Sequence, residues 1–464
     1  MPTNSRTIHF IGIGGTGMSA IAKVLLEAGN TITGSDLRIS EATERLSAQG
    51  ADIHLGHRKE NLRYPDLVVV SSAIPTDNVE VMTAYKRGIK VMQRGEMLAE
   101  LMSQRKGIAI AGAHGKTTTT SMASLVLEKA GLDPTVLIGG ELNDIGGNAK
   151  LGRGEYLIAE ADESDGSFLK LRPHIAVVTN VEDDHLDYYG SLDNIVAAFK
   201  SFIERIPTTG AAIICADNCN AMKIAAAANT SRRITFGTRG PADYEARSIK
   251  FKSLASSCQI WEQGQYLGSL RLMVPGVHSI LNALATVALA RQVGVDFDVI
   301  RGALATFRGV QRRFQHLGTV NGVYVVDDYG HHPTEIAATL SAAKQGRFNR
   351  IICVFQPHRY SRTKFLHREF GTAFHEADLL IITDIYPAGE APMAGVSSQL
   401  IVDAVVAESG PDTVLIPALK DVVPYLLKLV KPGDMVLTLG AGNIFQAGVE
   451  LVQGLPEAAQ TVET

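Results

Sequence analysis

The chain has 464 residues, of which 45% are hydrophobic and 20% are charged, and its formal net charge is −4 at pH 7. This balance is ordinary for a globular protein, and the length predicts about two to four domains. No block of like charge stands out, so the sequence indicates neither nucleic acid nor a membrane surface as a partner. No apolar run approaches the roughly 20 residues that span a bilayer. The polar start, MPTNSRT, lacks a signal-peptide pattern, so we expect a cytoplasmic protein.

The first recognisable element is the stretch IHFIGIGGTGMSAIAKVLLEAGNTITGSD. It predicts a strand, a turn containing Gly12, Gly14 and Gly17, a helix, and a second strand that ends at Asp36. This pattern fits the dinucleotide-binding fingerprint, in which a diphosphate lies at the helix N-terminus. The stretch alone leaves two alternatives open: an NAD-dependent oxidoreductase, or a protein that binds another phosphorylated ligand. Strand and helix patterns continue to residue 105 and predict a Rossmann-like domain over residues 1–105.

A second α/β pattern begins at residue 106 and contains the motif GAHGKTTTT. A strand that leads through a glycine loop into a helix directs backbone N–H groups towards a phosphate. Lys116 can neutralise phosphate oxygens, and the hydroxyl of Thr117 or Thr118 can reach Mg²⁺. The loop is shorter than the usual form, because Ile110 stands where a further glycine is expected. The alternative is a strand-to-helix turn with an incidental lysine.

Two acidic clusters follow strands in the same region, EADESD at residues 160–165 and NVEDDH at residues 180–185. Carboxyl ends of parallel strands gather at one sheet edge, where ligands bind. Acidic groups beside a triphosphate loop suggest oxygen ligands for Mg²⁺. Solvated loop charge is the alternative. Residues 243–274 alternate polar and apolar residues and predict a small antiparallel sheet.

A third α/β pattern predicts a Rossmann-like domain over residues 314–464. It contains DDYGHHPTEI, with Pro333 at a favoured early helical position, and QPHRYSRT, whose arginines suit phosphate or carboxylate groups. Surface ion pairing and capping are the alternatives for both motifs. The fold prediction is therefore α/β with three domains. The central one, residues 106–313, is a P-loop-type ATPase domain with a mostly parallel sheet plus the small antiparallel sheet.

Taken in order, GIGGTGMSAIA, SSAI, AGAHGKTTTT, AEADESDGSF, TNVEDDHLDYY, PGVHSILNALA, DDYGHHPTE and QPHRYSRT resemble the Mur ligase family. The resemblance covers essentially the whole chain. It implies three domains that bind a UDP-sugar, ATP and an amino acid, with the third closing on ATP. The implied reaction is ATP-dependent ligation of L-alanine to the lactyl carboxylate of UDP-N-acetylmuramate through an acyl phosphate, in peptidoglycan synthesis. A family member that attaches a recycled peptide is the alternative, but GGTGMS and DDYGHHPTE follow the alanine-adding form.

The resemblance also implies roles for individual residues. For ATP it implies Gly112, Ala113, His114, Gly115, Lys116, Thr117, Thr118, Asn282, Arg313 and Asp328. For Mg²⁺ it implies Thr117, Glu160 and His185. For the UDP-sugar it implies Gly14, Gly15, Thr16, Gly17, Asp36, His57 and Ser71. His331, His358, Arg359 and Arg362 would lie near the amino acid and the reacting phosphates, and Lys116, His331 and His358 are the catalytic candidates. We expect an unmodified Lys200 and a monomer or weak homodimer.

Overall fold

The computed structural model describes residues 5–142, 147–230, 232–252 and 254–455. Contacts divide the chain into two compact units. The first comprises residues 1–247, 259–270 and 281–305, and the second comprises residues 248–258, 271–280 and 306–464. Three β-sheets follow one another along the chain, so the expected α/β class is confirmed.

The first sheet has the strand order β3-β2-β1-β4-β5 and is parallel throughout. Its strands are β1 (Thr7–Ile11), β2 (Thr31–Asp36), β3 (Asp52–Leu55), β4 (Leu67–Val70) and β5 (Lys90–Gln93), and its helices are α1 (Thr16–Glu27), α2 (Glu41–Ala48), α3 (Val79–Lys86) and α4 (Arg94–Ser103). All four residues of β4 are buried, as expected for a parallel strand covered on both faces. Strands β2 and β3 lie on one side of β1, and β4 and β5 lie on the other, so the strand order reverses beside β1. Ligands of parallel sheets bind at the carboxyl ends of the strands at such a point, so we expect a ligand crevice at the carboxyl end of β1.

The second sheet has the order β15-β14-β13-β12-β11-β10-β6-β9-β7-β8. Its strands are β6 (Lys106–Ala111), β7 (Thr135–Leu142), β8 (Gly147–Lys150), β9 (Tyr156–Glu160), β10 (Ile175–Val178), β11 (Ala211–Cys215), β12 (Arg232–Gly237), β13 (Tyr244–Lys252), β14 (Ala255–Glu262) and β15 (Gln265–Leu272). The accompanying helices are α5 (Lys116–Lys129), α6 (Leu186–Tyr189), α7 (Leu192–Ile203), α8 (Cys219–Ala225), α9 (Val277–Gln292) and α10 (Phe297–Thr306). Pairing is parallel from β7 through β9, β6, β10, β11 and β12 to β13, whereas β7 and β8 are antiparallel. The strands expected over residues 243–274 continue this sheet at one edge.

The third sheet has the order β16-β17-β21-β18-β19-β20. Its strands are β16 (Gln315–Val320), β17 (Val323–Asp328), β18 (Arg350–Phe355), β19 (Leu379–Ile382), β20 (Asp412–Leu415) and β21 (Asp434–Leu439), and its helices are α11 (Pro333–Lys344), α12 (Tyr360–Ala373), α13 (Gln399–Ala407), α14 (Leu419–Leu429) and α15 (Phe445–Gly454). Only the edge strand β16 is antiparallel to its described neighbour. Pro333 opens α11, where its missing N–H costs no helical hydrogen bond.

The first and second sheets belong to one packed unit. Helix α1 packs against β7 and β8, and the side chain of Asn148 donates to the carbonyl of Thr16 at 2.9 Å. From the other side, the guanidinium of Arg94 reaches Asp162 at 3.0 Å and Ser167 at 3.1 Å. The first glycine turn and the acidic cluster after β9 therefore belong to the same compact unit. Among the described residues, no helix combines the length and apolar character needed to cross a membrane.

The aromatic cluster of Phe168, Phe199 and Phe202 gives a test of the packing within the first unit. Phe168 is fully buried, and its ring centroid lies 5.1 Å from those of both Phe199 and Phe202. Because Phe168→Ala removes a ring from a close-packed site, we expect it to lower the free energy of unfolding by about 3–5 kcal/mol, measured by urea denaturation followed by circular dichroism. The control is Tyr64→Ala in the same unit, where the residue is 93% exposed and a change within about 0.5 kcal/mol is expected. Equal shifts in the two variants would contradict the packing described.

Candidate active site

The first glycine turn is closed by Asp36. Gly12 has a φ of +79°, in the left-handed region that glycine tolerates, and the carboxylate of Asp36 accepts from the backbone N–H of Gly14 at 2.8 Å. A Cβ on Gly14 would lie 2.9 Å from that carboxylate oxygen, so only glycine allows this approach. The other carboxylate oxygen of Asp36 accepts from the N–H of Arg38 at 3.2 Å. The acidic residue of the fingerprint thus stabilises the turn through backbone hydrogen bonds.

A buried carboxylate that the sequence analysis did not single out lies behind this crevice. Glu80 in α3 has no exposed surface and accepts four hydrogen bonds: from Ser35 Oγ at 2.5 Å, Asn61 Nδ2 at 2.6 Å, the N–H of Arg58 at 2.9 Å and His9 Nε2 at 3.3 Å. Burial by itself would raise the pKa of Glu80, but the hydrogen bonds from His9, Ser35 and Arg58 outweigh it and lower the pKa to about 2. Glu80 is therefore ionised at neutral pH.

Two further residues expected at the first crevice lie near it. His57 follows β3, and its Nδ1 lies 2.8 Å from Ser35 Oγ. Ser71 follows β4, where its Oγ accepts from the N–H of Ala73 at 3.4 Å, and its Cβ would lie 3.3 Å from a Cβ placed on Gly12. Gly15 and Thr16 begin α1, directly after the turn. Lys200 is exposed on α7.

The second glycine loop connects β6 to α5. Gly115 caps α5 with a φ of +82°, and a Cβ at this position would lie 2.5 Å from Oδ1 of Asn282. The same amide oxygen accepts from Thr119 Oγ1 at 3.2 Å, which fixes Asn282 of α9 against the helix start. Thr117 and Thr118 lie in the first turn of α5. The helix N-terminus and an amide side chain therefore converge at the loop.

The backbone of this loop is also fixed from β10. The N–H of His114 donates to Asn180 Oδ1 at 2.9 Å, and its carbonyl accepts from Asn180 Nδ2 at 3.0 Å and from Thr179 Oγ1 at 2.6 Å. A Cβ on Gly112 would lie 2.1 Å from the same threonine hydroxyl, so this glycine allows β10 to approach closely. Sequence reasoning gave no role to Thr179 and Asn180, although Asn180 is the first residue of the NVEDDH stretch and Thr179 precedes it.

The Lys116 ammonium uses its three N–H donors within the protein. Nζ donates to the carbonyls of Gly112 at 2.6 Å and Ala113 at 3.3 Å, and to Glu163 Oε1 at 2.6 Å. Burial lowers the pKa of Lys116, but the charges of Glu163 and Asp162 more than compensate, so its pKa is raised and the group is cationic. Glu163 is only 3% exposed, and its second oxygen, Oε2, has no hydrogen-bond partner among the described residues.

The expected Mg²⁺ ligands lie around this pair. Glu160 accepts from the N–H of Gly139 at 2.5 Å and from Thr117 Oγ1 at 3.2 Å. His185 has a φ of +58°, and its Nε2 lies 3.8 Å from Glu163 Oε1. Carboxylate and hydroxyl oxygens suit a hard cation, and the unpartnered buried oxygen of Glu163 leaves negative charge to be satisfied. This donor set therefore fits Mg²⁺.

In the second unit, Asp328 and Arg313 lie together. Asp328 accepts from the N–H groups of Phe314 and Gly330, each at 2.7 Å, and burial raises its pKa to about 6, although the charge of Arg313 opposes this. Arg313 also lies 3.5 Å from Glu335. The neighbouring Arg312, which sequence reasoning missed, pairs with Asp327 at 3.0 Å and donates to the carbonyl of Gly440. Arg312 thus pairs with Asp327, while the charge of the adjacent Arg313 acts on Asp328, at the end of β17.

The two histidine motifs of the second unit converge. The ring centroids of His331, after β17, and His358, after β18, lie 5.7 Å apart, and Arg362 NH1 lies 3.3 Å from His358 Nδ1. Burial and the neighbouring cationic groups lower the pKa of His358 to about 3. Arg359 has a φ of +72°, and its N–H donates to the carbonyl of Tyr386 at 2.9 Å. An unusual backbone conformation held by the surrounding structure is typical of functional positions.

These features define a nucleotide-binding α/β protein with a lysine phosphate loop and two further polar clusters. Family models match nearly the whole chain: "Mur ligase family, catalytic domain" at residues 7–106, "Mur ligase middle domain" at residues 110–290 and "Mur ligase, glutamate ligase domain" at residues 312–442. A UDP-N-acetylmuramate--L-alanine ligase of Pelotomaculum thermopropionicum is 54% identical over 97% of this chain and 98% of its own length. The chain belongs to the Mur ligase family.

Solved structures show the same relationship. The crystal structure of UDP-N-acetylmuramate-alanine ligase MurC from Thermotoga maritima has a TM-score of 0.81 and 31% identity, covering 97% of this chain and 98% of that one. A murein peptide ligase from Psychrobacter arcticus has a TM-score of 0.72 and 26% identity, covering 98% and 100%. Mur ligases are ATP-dependent.

Glu80 gives a test based on pH. Its pKa is about 2 in the folded protein and 4.5 in the reference state. Because the folded pKa is depressed, the stabilisation is present above pH 4.5 and is lost as the pH falls towards 2. We expect the free energy of unfolding of the wild type to fall by about 2 kcal/mol more than that of Glu80→Gln between pH 5 and pH 2.5, measured by urea denaturation. Parallel pH profiles would contradict the ionised buried carboxylate.

Proposed function

We propose that this protein ligates L-alanine to the lactyl carboxylate of UDP-N-acetylmuramate and converts ATP to ADP and phosphate. The observation that carries the proposal is the loop between β6 and α5, where Lys116, the helix N-terminus and Asn282 surround one point beside a negatively charged cluster. The name of the relative with 54% identity supports alanine as the amino acid. The ligase that takes a recycled peptide is disfavoured, because the murein peptide ligase structure is only 26% identical.

ATP activation supplies the electrophile. A free carboxylate resists attack by an amine, so its oxygen first takes the γ-phosphoryl group of ATP, and the bond to the β-phosphate oxygen breaks to leave ADP. Lys116 stabilises the negative charge on the transferred group, and the N–H groups at the start of α5 hold the phosphates. Thr117, Glu160 and His185 would hold Mg²⁺, which supplies positive charge at the phosphate oxygens when bound.

Amide formation follows. The neutral amine of alanine attacks the acyl carbon, and the tetrahedral intermediate expels inorganic phosphate. A base must take the ammonium proton, and the low pKa of His358, about 3, makes its imidazole a weak base at neutral pH. This favours His331 for that role. Arg359 and Arg362 suit the carboxylate of the amino acid, because a guanidinium binds a carboxylate through two parallel hydrogen bonds. Arg313 and Asp328 complete the proposed nucleotide contacts.

The first crevice takes the UDP-sugar in this proposal. The turn from Gly14 to Gly17 and the N-terminus of α1 suit the diphosphate, while Asp36, His57 and Ser71 line the same edge of the sheet. The loop before α5 provides a separate site for ATP in this proposal. The first crevice is therefore free to bind the UDP-sugar, and no NAD need be assigned to it. We further propose that the protein acts in the cytoplasm as a monomer or weak homodimer.

The lysine loop is tested by Lys116→Ala. Because the ammonium stabilises charge that develops during phosphoryl transfer, we expect alanine-dependent phosphate release to fall by about 10²-fold or more, with ATP, Mg²⁺ and UDP-N-acetylmuramate present. The matched control is Lys200→Ala, which removes an exposed lysine and should retain wild-type turnover. Near-normal turnover of Lys116→Ala, with an unchanged circular dichroism spectrum, would contradict ATP activation at this loop.

Substrate choice is tested in the same assay. With the wild-type protein, we expect phosphate release to depend on L-alanine and to stay at background when the peptide L-alanyl-γ-D-glutamyl-meso-diaminopimelate replaces it. Preference for the peptide would establish the alternative ligase. A fluorescence titration with NADH serves as the control for the oxidoreductase alternative, and we expect no saturable binding.

A further inference from the structure

We propose that Glu80 and Ser35 fix the tautomer of His57, so that His57 Nε2 is a hydrogen-bond acceptor for the uracil ring of the sugar nucleotide. Glu80 and Ser35 are then positioning residues, since they act through the imidazole and do not touch the ligand. The inference rests on the proposed function for the identity of the ligand. The tautomer itself follows from a count of hydrogen atoms.

The count starts at Glu80. Its carboxylate is fully buried, and the four groups around it are all able to donate. An ionised carboxylate has no hydrogen to give, so the Ser35 hydroxyl, 2.5 Å away, must donate its single hydrogen to Glu80. Ser35 Oγ is then left with lone pairs only.

The second step passes from Ser35 to the imidazole. Ser35 Oγ lies 2.8 Å from His57 Nδ1. Because the hydroxyl hydrogen is already committed to Glu80, this contact is a hydrogen bond only if Nδ1 carries a hydrogen and donates it. In the neutral ring, Nε2 then carries a lone pair and accepts. Glu80 therefore determines through Ser35 which ring nitrogen of His57 is protonated, and its Oε2 lies a further 3.7 Å from the same Nδ1.

The position of His57 directs this acceptor to the crevice. Strand β3 pairs with β2 so that Leu55 lies opposite Asp36, and the N–H of Gly56 donates to the carbonyl of Asp36 at 2.7 Å. His57 thus follows the same sheet edge as the first glycine turn. Across the described part of the chain, the hydrogen bond and close charge contact of the His57 ring both involve Nδ1. The His57 side chain is 11% exposed, so the ring is not sealed from solvent.

The chemistry of an acceptor at this point favours one pyrimidine. Uracil has a ring N–H at position 3, whereas the corresponding nitrogen of cytosine is an acceptor. An Nε2 lone pair pairs with the uracil N–H and would face a second lone pair in cytosine. Unpaired polar groups in a binding site discriminate more strongly than missing apolar contacts. The Glu80–Ser35 pair is therefore a determinant of nucleotide choice.

Histidine ¹⁵N spectra of the full chain at pH 8 test the tautomer, with the His57 signals assigned by their loss in His57→Asn. We expect Nδ1–H in the wild type and a shift towards Nε2–H in Ser35→Ala, which removes the acceptor for Nδ1. In the same variant, we expect calorimetry to show about tenfold weaker binding of UDP and a smaller preference for UDP over CDP, because a protonated Nε2 cannot accept from the uracil N–H.

A second variant covers the chance that the first does not fold. In E80Q the side-chain amide can donate to Ser35, which frees the hydroxyl to donate to Nδ1 and favours the Nε2–H tautomer. The control is Thr33→Val, because Thr33 Oγ1 lies 2.8 Å from Nδ1 of His9, whose Nε2 contacts Glu80 without contacting Ser35 or His57 in the hydrogen bonds described. This control should keep the His57 tautomer and a UDP dissociation constant within about twofold of the wild type.

The outcomes separate this inference from the proposed function. An Nε2–H tautomer in the wild type, or unchanged UDP binding in both Ser35→Ala and E80Q, would overturn the inference alone. Failure of the wild type to bind UDP, with the Nδ1–H tautomer present, would instead overturn the assignment of a UDP-sugar to the first crevice.

Discussion

The partly buried ammonium of Lys116 is the charge around which the phosphate loop is organised. It is held at 2.6 Å by a carbonyl of its own loop and at 2.6 Å by Glu163, from a neighbouring strand end. An anion that enters the loop must compete with both, and a buried carboxylate left without its cation is costly. The unpartnered oxygen of Glu163 and the acids around it set a second requirement, for positive charge from outside the chain. Nucleotide and cation are thus coupled by one ion pair.

Among its described residues, the first unit contains two buried glutamates, Glu80 and Glu163, whose carboxylates differ in how many hydrogen-bond partners they have. Glu80 accepts four hydrogen bonds and has a pKa of about 2, so its charge is fully compensated by the protein. Glu163 has a single cationic partner at hydrogen-bond distance and one oxygen without any partner among the described residues. A complete network stabilises the fold and fixes side-chain orientation, whereas an incomplete one marks a place where a ligand is needed. The contrast distinguishes a structural carboxylate from a functional one.

Sequence patterns predicted the fold well, because strand burial, glycine turns and helix caps are local properties. The strand ending at Asp36, the loop before Lys116 and the start of a helix at Pro333 all follow from short stretches. Glu80 could not be predicted in the same way. It lies in the first turn of α3, within NVEVMTAYK, where an acid usually caps a solvent-exposed helix. Its burial depends on β2 and the segment after β3, which are distant in sequence.

In the acidic cluster EADESD, the sequence likewise does not predict which partner each side chain takes. Four acids stand within six residues, and the letters alone do not reveal that Glu163 pairs with Lys116 while Asp162 pairs with Arg94. The adjacent residues Asp162 and Glu163 take separate partners, whereas Asp162 and Asp165 share Arg94. The roles of the cluster are therefore set by tertiary geometry.

The first glycine turn explains why a dinucleotide fingerprint does not identify the chemistry of a protein. Its glycines allow a tight turn, and its acid is expected to bind a ribose hydroxyl. Here both oxygens of Asp36 accept backbone N–H groups, from Gly14 and Arg38, so the acid first serves the turn itself. That requirement is independent of hydride transfer and applies to any ligand with a diphosphate. The fingerprint specifies a backbone shape, and the residues around it, such as His57 here, decide which nucleotide is bound.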